Sequence, residues 1–267
     1  MIQKEFGLKA QRILAKDPSV IGLAVGGSWL TDELDEYSDL DLILVTTQSI
    51  SNDKHKMMEY AGKLGKLLNG FTGEHVGEPR VLICLYDSPL LHVDIKFLTL
   101  DELSERVETP HILQDKDNQL QQALEKSEPH FPYPDYQWIE DRFWIWVHYV
   151  LLKTGRGEYM EAVDFFGFLR MTVFGPLLQI KNGQQPRGVR KVETALDKAD
   201  FESLKSTIPA YSKESILEAL RHSIELYRSL STTLYTENVV QSAETEQKVV
   251  DYLARIAGED DHSAQNL

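Results

Sequence analysis

The sequence is poor in cysteine, in long apolar runs and in basic clusters, and each shortage excludes a class of protein. Cys84 is the single cysteine among 267 residues, so an intrachain disulfide is excluded, and we expect a buried apolar role for it. No stretch has the length and apolarity typical of a membrane span, and the N-terminal residues lack the uninterrupted apolar core of a signal peptide. These absences predict a cytoplasmic protein without a membrane partner.

Positive charge is also scarce. The chain has 28 Lys and Arg residues against 42 Asp and Glu residues, which gives a formal net charge of -14 at pH 7. Broad binding to DNA or RNA requires clustered basic side chains that neutralise phosphates, so we expect no nucleic-acid partner. An acidic cleft would attract a cationic small molecule, although the excess of acid is explained equally well by solubility.

Three prolines between residues 128 and 135 divide the chain into two parts of different character. Before them, short apolar runs alternate with amphipathic stretches, which is typical of an α/β domain. After them, apolar residues recur at helical spacing. We therefore predict one domain over residues 1–127 and a helical domain over residues 128–267, ending in a solvated tail from residue 258. The predicted helices span residues 2–16, 53–68, 138–153, 158–180, 193–206, 213–235 and 243–256, with a short one near residue 101, and strands are predicted at 20–25, 81–86, 91–98 and 111–114.

The most informative segment joins a glycine turn to a pair of aspartates. The strand at residues 20–25 runs into Gly26, Gly27 and Ser28, where glycine lets the backbone approach a ligand and present N–H groups to phosphates beside the start of a helix. Asp39 and Asp41 follow inside an apolar strand, so their carboxylates are expected on one face and the leucines around them on the other. Two such carboxylates repel each other unless a cation lies between them, and Mg²⁺ prefers these oxygen ligands.

Each part of this segment also has an ordinary explanation. A strand that alternates Asp and Leu is, alone, a half-buried strand with a solvated acidic face, and two glycines followed by serine usually form a simple turn. Their joint occurrence at this interval favours a Mg²⁺-dependent site for a nucleoside triphosphate.

This segment resembles the signature of the polymerase β-like nucleotidyltransferase superfamily, in which two glycines or Gly-Ser precede an Asp-hydrophobic-Asp-hydrophobic strand. The third carboxylate of that superfamily follows in a later strand, and Asp94 between Val93 and Ile95 matches it. Residues 111–118 are similar to a strand and turn of its antibiotic-modifying members. The layout is closest to the aminoglycoside and lincosamide adenylyltransferases. The resemblance implies a small mixed sheet flanked by helices, followed by an all-helical bundle.

The same resemblance implies that a nucleoside monophosphate is transferred from ATP or another triphosphate to a hydroxyl of a small molecule such as an antibiotic. It implies that Asp39, Asp41 and Asp94 bind two Mg²⁺ ions, while Gly26, Gly27 and Ser28 hold phosphates. The choice of general base stays open among Glu158, Glu161 and Asp164, and a homodimer also stays open. Two alternatives remain: a catalytically silent nucleotide-binding protein of the same fold, and an enzyme that adenylylates a protein.

Two features of the second half have two interpretations each. Arg187 and Arg190 belong to a basic cluster that would offset the charge of the leaving pyrophosphate, or would simply form a surface loop. The aromatic residues between positions 138 and 149 and between 165 and 168 would stack on a ligand or pack in a core, and helical spacing favours the core.

Overall fold

The computed structural model describes residues 1–258, which divide into two compact units. The first is Met1–Phe131 and the second begins at Pro132. The predicted tail lies outside the described residues from position 259 onward.

The first unit is built on a six-stranded sheet with the strand order β3-β4-β5-β2-β1-β6. Every neighbouring pair of strands is antiparallel except β2 and β5, which run parallel. This mixed sheet with flanking helices, followed by a helical second unit, confirms the predicted fold class. The elements of the first unit are α1 (Ile2–Leu14), β1 (Val20–Val25), β2 (Leu40–Thr46), α2 (Lys54–Leu64), β3 (Lys66–Gly73), β4 (Glu78–Asp87), β5 (Leu91–Leu98), α3 (Leu100–Leu103), β6 (His111–Asp115) and α4 (Gln119–Glu125).

Side-chain alternation along β2 explains how the sheet acquires two apolar faces. Leu40, Leu42 and Leu44 are buried in one cluster together with residues of α1 and α2. Val45 belongs to a second cluster, which also contains residues of α3 and α4. The leucines therefore lie on the face of the sheet opposite to Asp41, as predicted. Cys84 is buried in the first cluster, which confirms its apolar role.

A charged cluster links β4 to β5. Arg80 Nε lies 2.7 Å from Glu78 Oε1, and Lys96 Nζ lies 2.8 Å from Glu78 Oε2. The hydrogen bond from Arg80, helped by Lys96, outweighs partial burial and lowers the pKa of Glu78 from 4.5 to about 2. Glu78 therefore stays ionised at any ordinary pH.

The second unit is entirely helical over its described residues. Its helices are α5 (Tyr136–Arg156), α6 (Tyr159–Leu169), α7 (Gly175–Lys181), α8 (Val192–Ala195), α9 (Lys198–Lys205), α10 (Lys213–Leu234) and α11 (Ala243–Ala257). A π-helical turn, Arg170–Phe174, connects α6 to α7, so the predicted helix over residues 158–180 is one run with a widened turn.

This run is more apolar than the sequence interpretation allowed. By length and composition Tyr159–Lys181 would qualify as a membrane span, and it is the one such helix within residues 1–258. Half of its most apolar window is buried inside the protein, and Phe166, Phe174 and Leu178 are fully buried in the helical core. A core helix of a globular unit has the same composition, so the run is explained by packing.

The aromatic side chains of α5 and α6 divide between core and surface. The core interpretation is right for Phe143, Trp144 and Phe166, which are buried. Five other rings form a row along the two helices, with neighbouring ring centroids 5.0 to 5.5 Å apart. The row consists of Trp138, Trp146, Phe168, Phe165 and Tyr149. The side chains of Trp138 and Phe168 are each 40% exposed. For this row the core interpretation is incomplete.

Candidate active site

The glycine turn continues directly from β1 and is held against β2. Gly26 N–H donates to the carbonyl oxygen of Asp41 at 3.1 Å, which extends the β1–β2 pairing by one residue. Gly27–Trp29 then forms a single 3-10 turn, so the helix expected to start here is only one short turn. Gly27 has φ +60, a left-handed conformation that glycine adopts without a steric cost.

Carboxylates approach the backbone of both glycines closely. A Cβ atom on Gly27 would overlap Asp41 Oδ2 and lie 3.1 Å from Asp41 Cγ. A Cβ atom on Gly26 would lie 2.8 Å from Glu108 Oε1. Side chains at these positions would push the carboxylates away from the turn.

The three predicted aspartates lie on two adjacent central strands of the sheet or directly before one of them. Asp41, the second residue of β2, is the register partner of Asp94, which lies in the middle of β5. Asp39 precedes Leu40, the first residue of β2, so it lies at the entrance to the strand and not inside it. The parallel pairing of β2 and β5 is what places residues from two distant parts of the sequence side by side.

Asp94 lies in an electrostatically unfavourable position. Burial raises the pKa of its carboxyl group, and the negative charge of Asp39 raises it further. The His92 ring opposes this shift, since His92 Nε2 lies 2.9 Å from Asp94 Oδ1. Asp94 is thus an acid for which a nearby positive charge would be stabilising.

The chemistry of these acids fits a hard divalent cation. Asp39, Asp41 and Asp94 offer only oxygen atoms, the ligand type that Mg²⁺ prefers, and the coupling between Asp39 and Asp94 is that of like charges which a cation would relieve. Within residues 1–258, however, no group of three or more His, Cys, Asp or Glu side chains is close enough to hold a metal ion.

A fourth carboxylate lies at the turn, and the sequence analysis missed it. Glu108 is in the loop between α3 and β6, and its Oε1 accepts a hydrogen bond from Gly27 N–H at 2.8 Å. Its distance from Gly27 along the sequence is 81 residues, and no motif surrounds it. The one available signal was topological, because the residues just before β6 must lie beside the residues just after β1 in an antiparallel pair.

The remaining predicted residues have the following positions. Ser28 is half-buried in the 3-10 turn, and its carbonyl oxygen accepts a hydrogen bond from Glu33 N–H. Arg187 and Arg190 are exposed in the loop between α7 and α8 of the second unit. Gln179 fastens that loop, since it accepts from Arg187 N–H at 2.6 Å and donates to the carbonyl oxygen of Arg190 at 2.9 Å.

Two of the candidate bases are engaged in ion pairs within the second unit. Lys153 Nζ lies 2.9 Å from Glu158 Oε2 and 3.0 Å from Glu161 Oε2. Glu161 also accepts a hydrogen bond from the Tyr149 hydroxyl. Asp164, the third candidate, is exposed on α6.

A mixed sheet that holds a glycine turn beside paired acids on two adjacent strands is the arrangement of a nucleotidyltransferase. The chain belongs to the streptomycin adenylyltransferase family, whose sequence model matches residues 11–256. This match confirms the resemblance read from the glycine turn and the aspartates, and it identifies the protein as a nucleotidyltransferase enzyme.

Two solved structures resemble the chain along most of its length. One is an aminoglycoside 6-adenyltransferase from Bacillus subtilis, with 16% sequence identity, coverage of 96% of this chain and 98% of that chain, and a TM-score of 0.41. The other is a nucleotidyltransferase-like protein from Exiguobacterium sibiricum, with 13% identity, coverage of 94% and 89%, and a TM-score of 0.33. A search of curated proteins finds no match.

Proposed function

We propose that this protein transfers AMP from ATP to a hydroxyl group of an aminoglycoside-like antibiotic in the cytoplasm, in a Mg²⁺-dependent reaction. The observation that carries the proposal is the register pairing of Asp41 with Asp94 beside the turn at Gly26 and Gly27, in a chain of the streptomycin adenylyltransferase family. The description of that family makes streptomycin the first acceptor to test. A lincosamide-like compound or an ordinary metabolite is the alternative acceptor.

The reaction exchanges one bond to phosphorus for another. The acceptor hydroxyl oxygen forms a bond to the α-phosphorus of ATP, the bond from that phosphorus to the bridging oxygen breaks, and pyrophosphate leaves. Asp39, Asp41 and Asp94 would hold two Mg²⁺ ions, which when bound neutralise phosphate charge and lower the pKa of the acceptor hydroxyl. The proton of that hydroxyl passes to a carboxylate base, for which Asp94 and the acids of α6 and its N-terminal turn are candidates.

The remaining residues would bind and orient the substrates. The N–H group of Gly27 and the Ser28 hydroxyl would bind the triphosphate, because a turn of backbone amides binds phosphate oxygens well. Gly26 N–H donates to Asp41 in the β1–β2 pairing, so Gly26 would contribute only the close approach of its backbone. We assign Arg187 and Arg190 to the charge of the departing pyrophosphate. A net charge of -14 favours a cationic acceptor such as an aminoglycoside over a nucleic acid.

Substitution of the paired acids tests the proposal. Asp41→Asn and Asp39→Asn keep the size of the side chain but remove its charge, and each should lower pyrophosphate release from ATP and streptomycin at least about a hundredfold. Asp101→Asn is the matched control, because this exposed acid lies on α3, past the C-terminal end of β5. Unfolding in urea should show that all three variants remain folded.

The alternatives give different results in the same assays. Normal turnover in either Asp39→Asn or Asp41→Asn contradicts the proposed role of the acids. Binding of ATP without pyrophosphate release, across a panel of aminoglycosides and lincosamides, would indicate a catalytically silent protein. Label from ATP that appears on a partner protein, and not on a small molecule, would indicate protein adenylylation.

A further inference from the structure

The Glu108 carboxylate accepts a hydrogen bond from the Gly27 amide, which the proposed function assigns to a phosphate oxygen of ATP. Gly27 N–H donates to Glu108 Oε1 at 2.8 Å, a normal length for a hydrogen bond to a charged acceptor. The same oxygen lies against Gly26, where a Cβ atom would be only 2.8 Å away. Glu108 thus contacts the backbone of both glycines of the turn.

One N–H group cannot serve two anions well. A carboxylate oxygen and a phosphate oxygen seek the same donor geometry, and each bears negative charge, so both at Gly27 would repel each other at short range. Asp41 also lies against this turn, and its Cβ atom is 3.8 Å from the position that a Cβ on Gly26 would take. A triphosphate that enters beside Asp41 therefore meets a second carboxylate already bound to the amide.

The position of Glu108 in the fold allows it to leave. Residues 104–110 form an irregular loop between α3 and β6, so movement of Glu108 breaks no helix and no strand ladder. The glycine turn, in contrast, is fixed to β2 by the hydrogen bond from Gly26 to Asp41. In the contact between Glu108 and the glycine turn, Glu108 is therefore the residue that can move.

We propose that Glu108 is a further determinant of nucleotide affinity, because its carboxylate accepts from the Gly27 amide and must release it to a phosphate oxygen of the incoming triphosphate. This inference rests on the proposed function. Glu108 thereby lowers the affinity for nucleotide. It is a competitor for the phosphate position and not a ligand of the substrate.

The experiment measures binding of Mg²⁺-ATP by calorimetry, without acceptor, for the wild type and for Glu108→Ala and Glu108→Gln. Glu108→Ala should bind ATP about tenfold more tightly, because the phosphate no longer displaces a charged acceptor. Glu108→Gln should show a smaller gain, since a neutral amide oxygen still accepts from Gly27 but more weakly. Adenosine, which has no phosphate, should bind equally to all three proteins.

A control variant separates the effect of losing the contact between Glu108 and Gly27 from the effect of removing one negative charge. Glu105→Gln removes one negative charge from an exposed position in the same loop and should leave the ATP affinity unchanged. Unfolding in urea checks each variant, and the nearly isosteric Glu108→Gln keeps the test valid if the alanine variant folds poorly.

The outcomes distinguish this inference from the proposed function. ATP affinity that is unchanged in the Glu108 variants overturns the inference alone, provided that the wild type binds ATP. Weaker binding together with lost pyrophosphate release also overturns it, since Glu108 would then hold the substrate. Failure of the wild type to bind any nucleoside triphosphate overturns the proposed function and this inference with it.

Discussion

Replacement of Gly27 by alanine tests the geometry of the site most directly. The new methyl group would overlap Asp41 Oδ2, and the carboxylate would have to retreat by about 1 Å to restore the 3.0 Å that Cβ atoms keep. A misplacement of that size in an active site costs about a hundredfold in rate. The substitution also forces alanine into a left-handed conformation, which costs about 1 kcal/mol of stability.

Gly77→Ala is the matched control because it separates strain from displacement. Gly77 has φ +79, and a Cβ atom there would have nothing within 4 Å. Both variants should therefore lose a similar amount of stability in urea unfolding, about 1 kcal/mol. Only Gly27→Ala should lose pyrophosphate release with ATP and an aminoglycoside. Near-normal turnover in Gly27→Ala, or an equal loss in Gly77→Ala, would refute the placement of Asp41 in the site.

Two further predictions concern stability. Because its two basic partners depress the pKa of Glu78, the ionised form stabilises the fold above its ordinary pKa of 4.5, and this contribution disappears as the pH falls towards about 2. Glu78→Gln should therefore lose about 1–2 kcal/mol at pH 7 and approach the wild type only as the pH falls towards about 2 in urea unfolding, after allowance for partial exposure, whereas a gap that does not change with pH would contradict the ion pairing. In the helical unit, a Cβ atom on Gly175 would overlap the Gly188 carbonyl, so Gly175→Ala should cost about 3 kcal/mol. Gly167→Ala, with nothing closer than 4.0 Å, should stabilise α6 by up to about 1 kcal/mol, and equal thermal midpoints for the two alanine variants would count against this packing.

The elements that were predicted correctly are those whose pattern is local. The alternation in β2, the apolar run of β5 and the helical spacing of α5 and α10 are visible in short windows of sequence. The strand β3 was missed and its first residues were assigned to α2, because its apolar residues do not alternate and two glycines interrupt it. It is a strand because it pairs with β4, a contact that the local sequence does not encode.

The predicted helix boundaries were wrong where a side chain accepts hydrogen bonds from backbone N–H groups a few residues further along the chain. The helix predicted over residues 193–206 is two helices, since Leu196 is extended and Asp197 starts α9 by accepting a hydrogen bond from Asp200 N–H. Helix α4 was not predicted, and its first turn is fixed by Asp115, which accepts hydrogen bonds from the N–H groups of Leu120 and Gln121. In both cases an aspartate decides the boundary, through a contact that spacing alone does not reveal.

The parts of the site that lie close together in the sequence were predictable, and those that lie far apart were not. The glycine turn and the first two aspartates follow from one short segment, and Asp94 followed only from a resemblance. Its place opposite Asp41 depends on the register of β2 against β5. Glu108 reaches the turn through the order of strands in the sheet, which required the folded structure.

The parallel pairing of β2 with β5 also determines where the chain can gain or lose residues. Six consecutive residue pairs, from Leu40 with Val93 to Val45 with Leu98, fix the alignment. A deletion or insertion of one residue early in β5 would turn Asp94 towards the leucine face and present Val93 or Ile95 in its place. The loops in the segment between the two strands can vary in length without this effect.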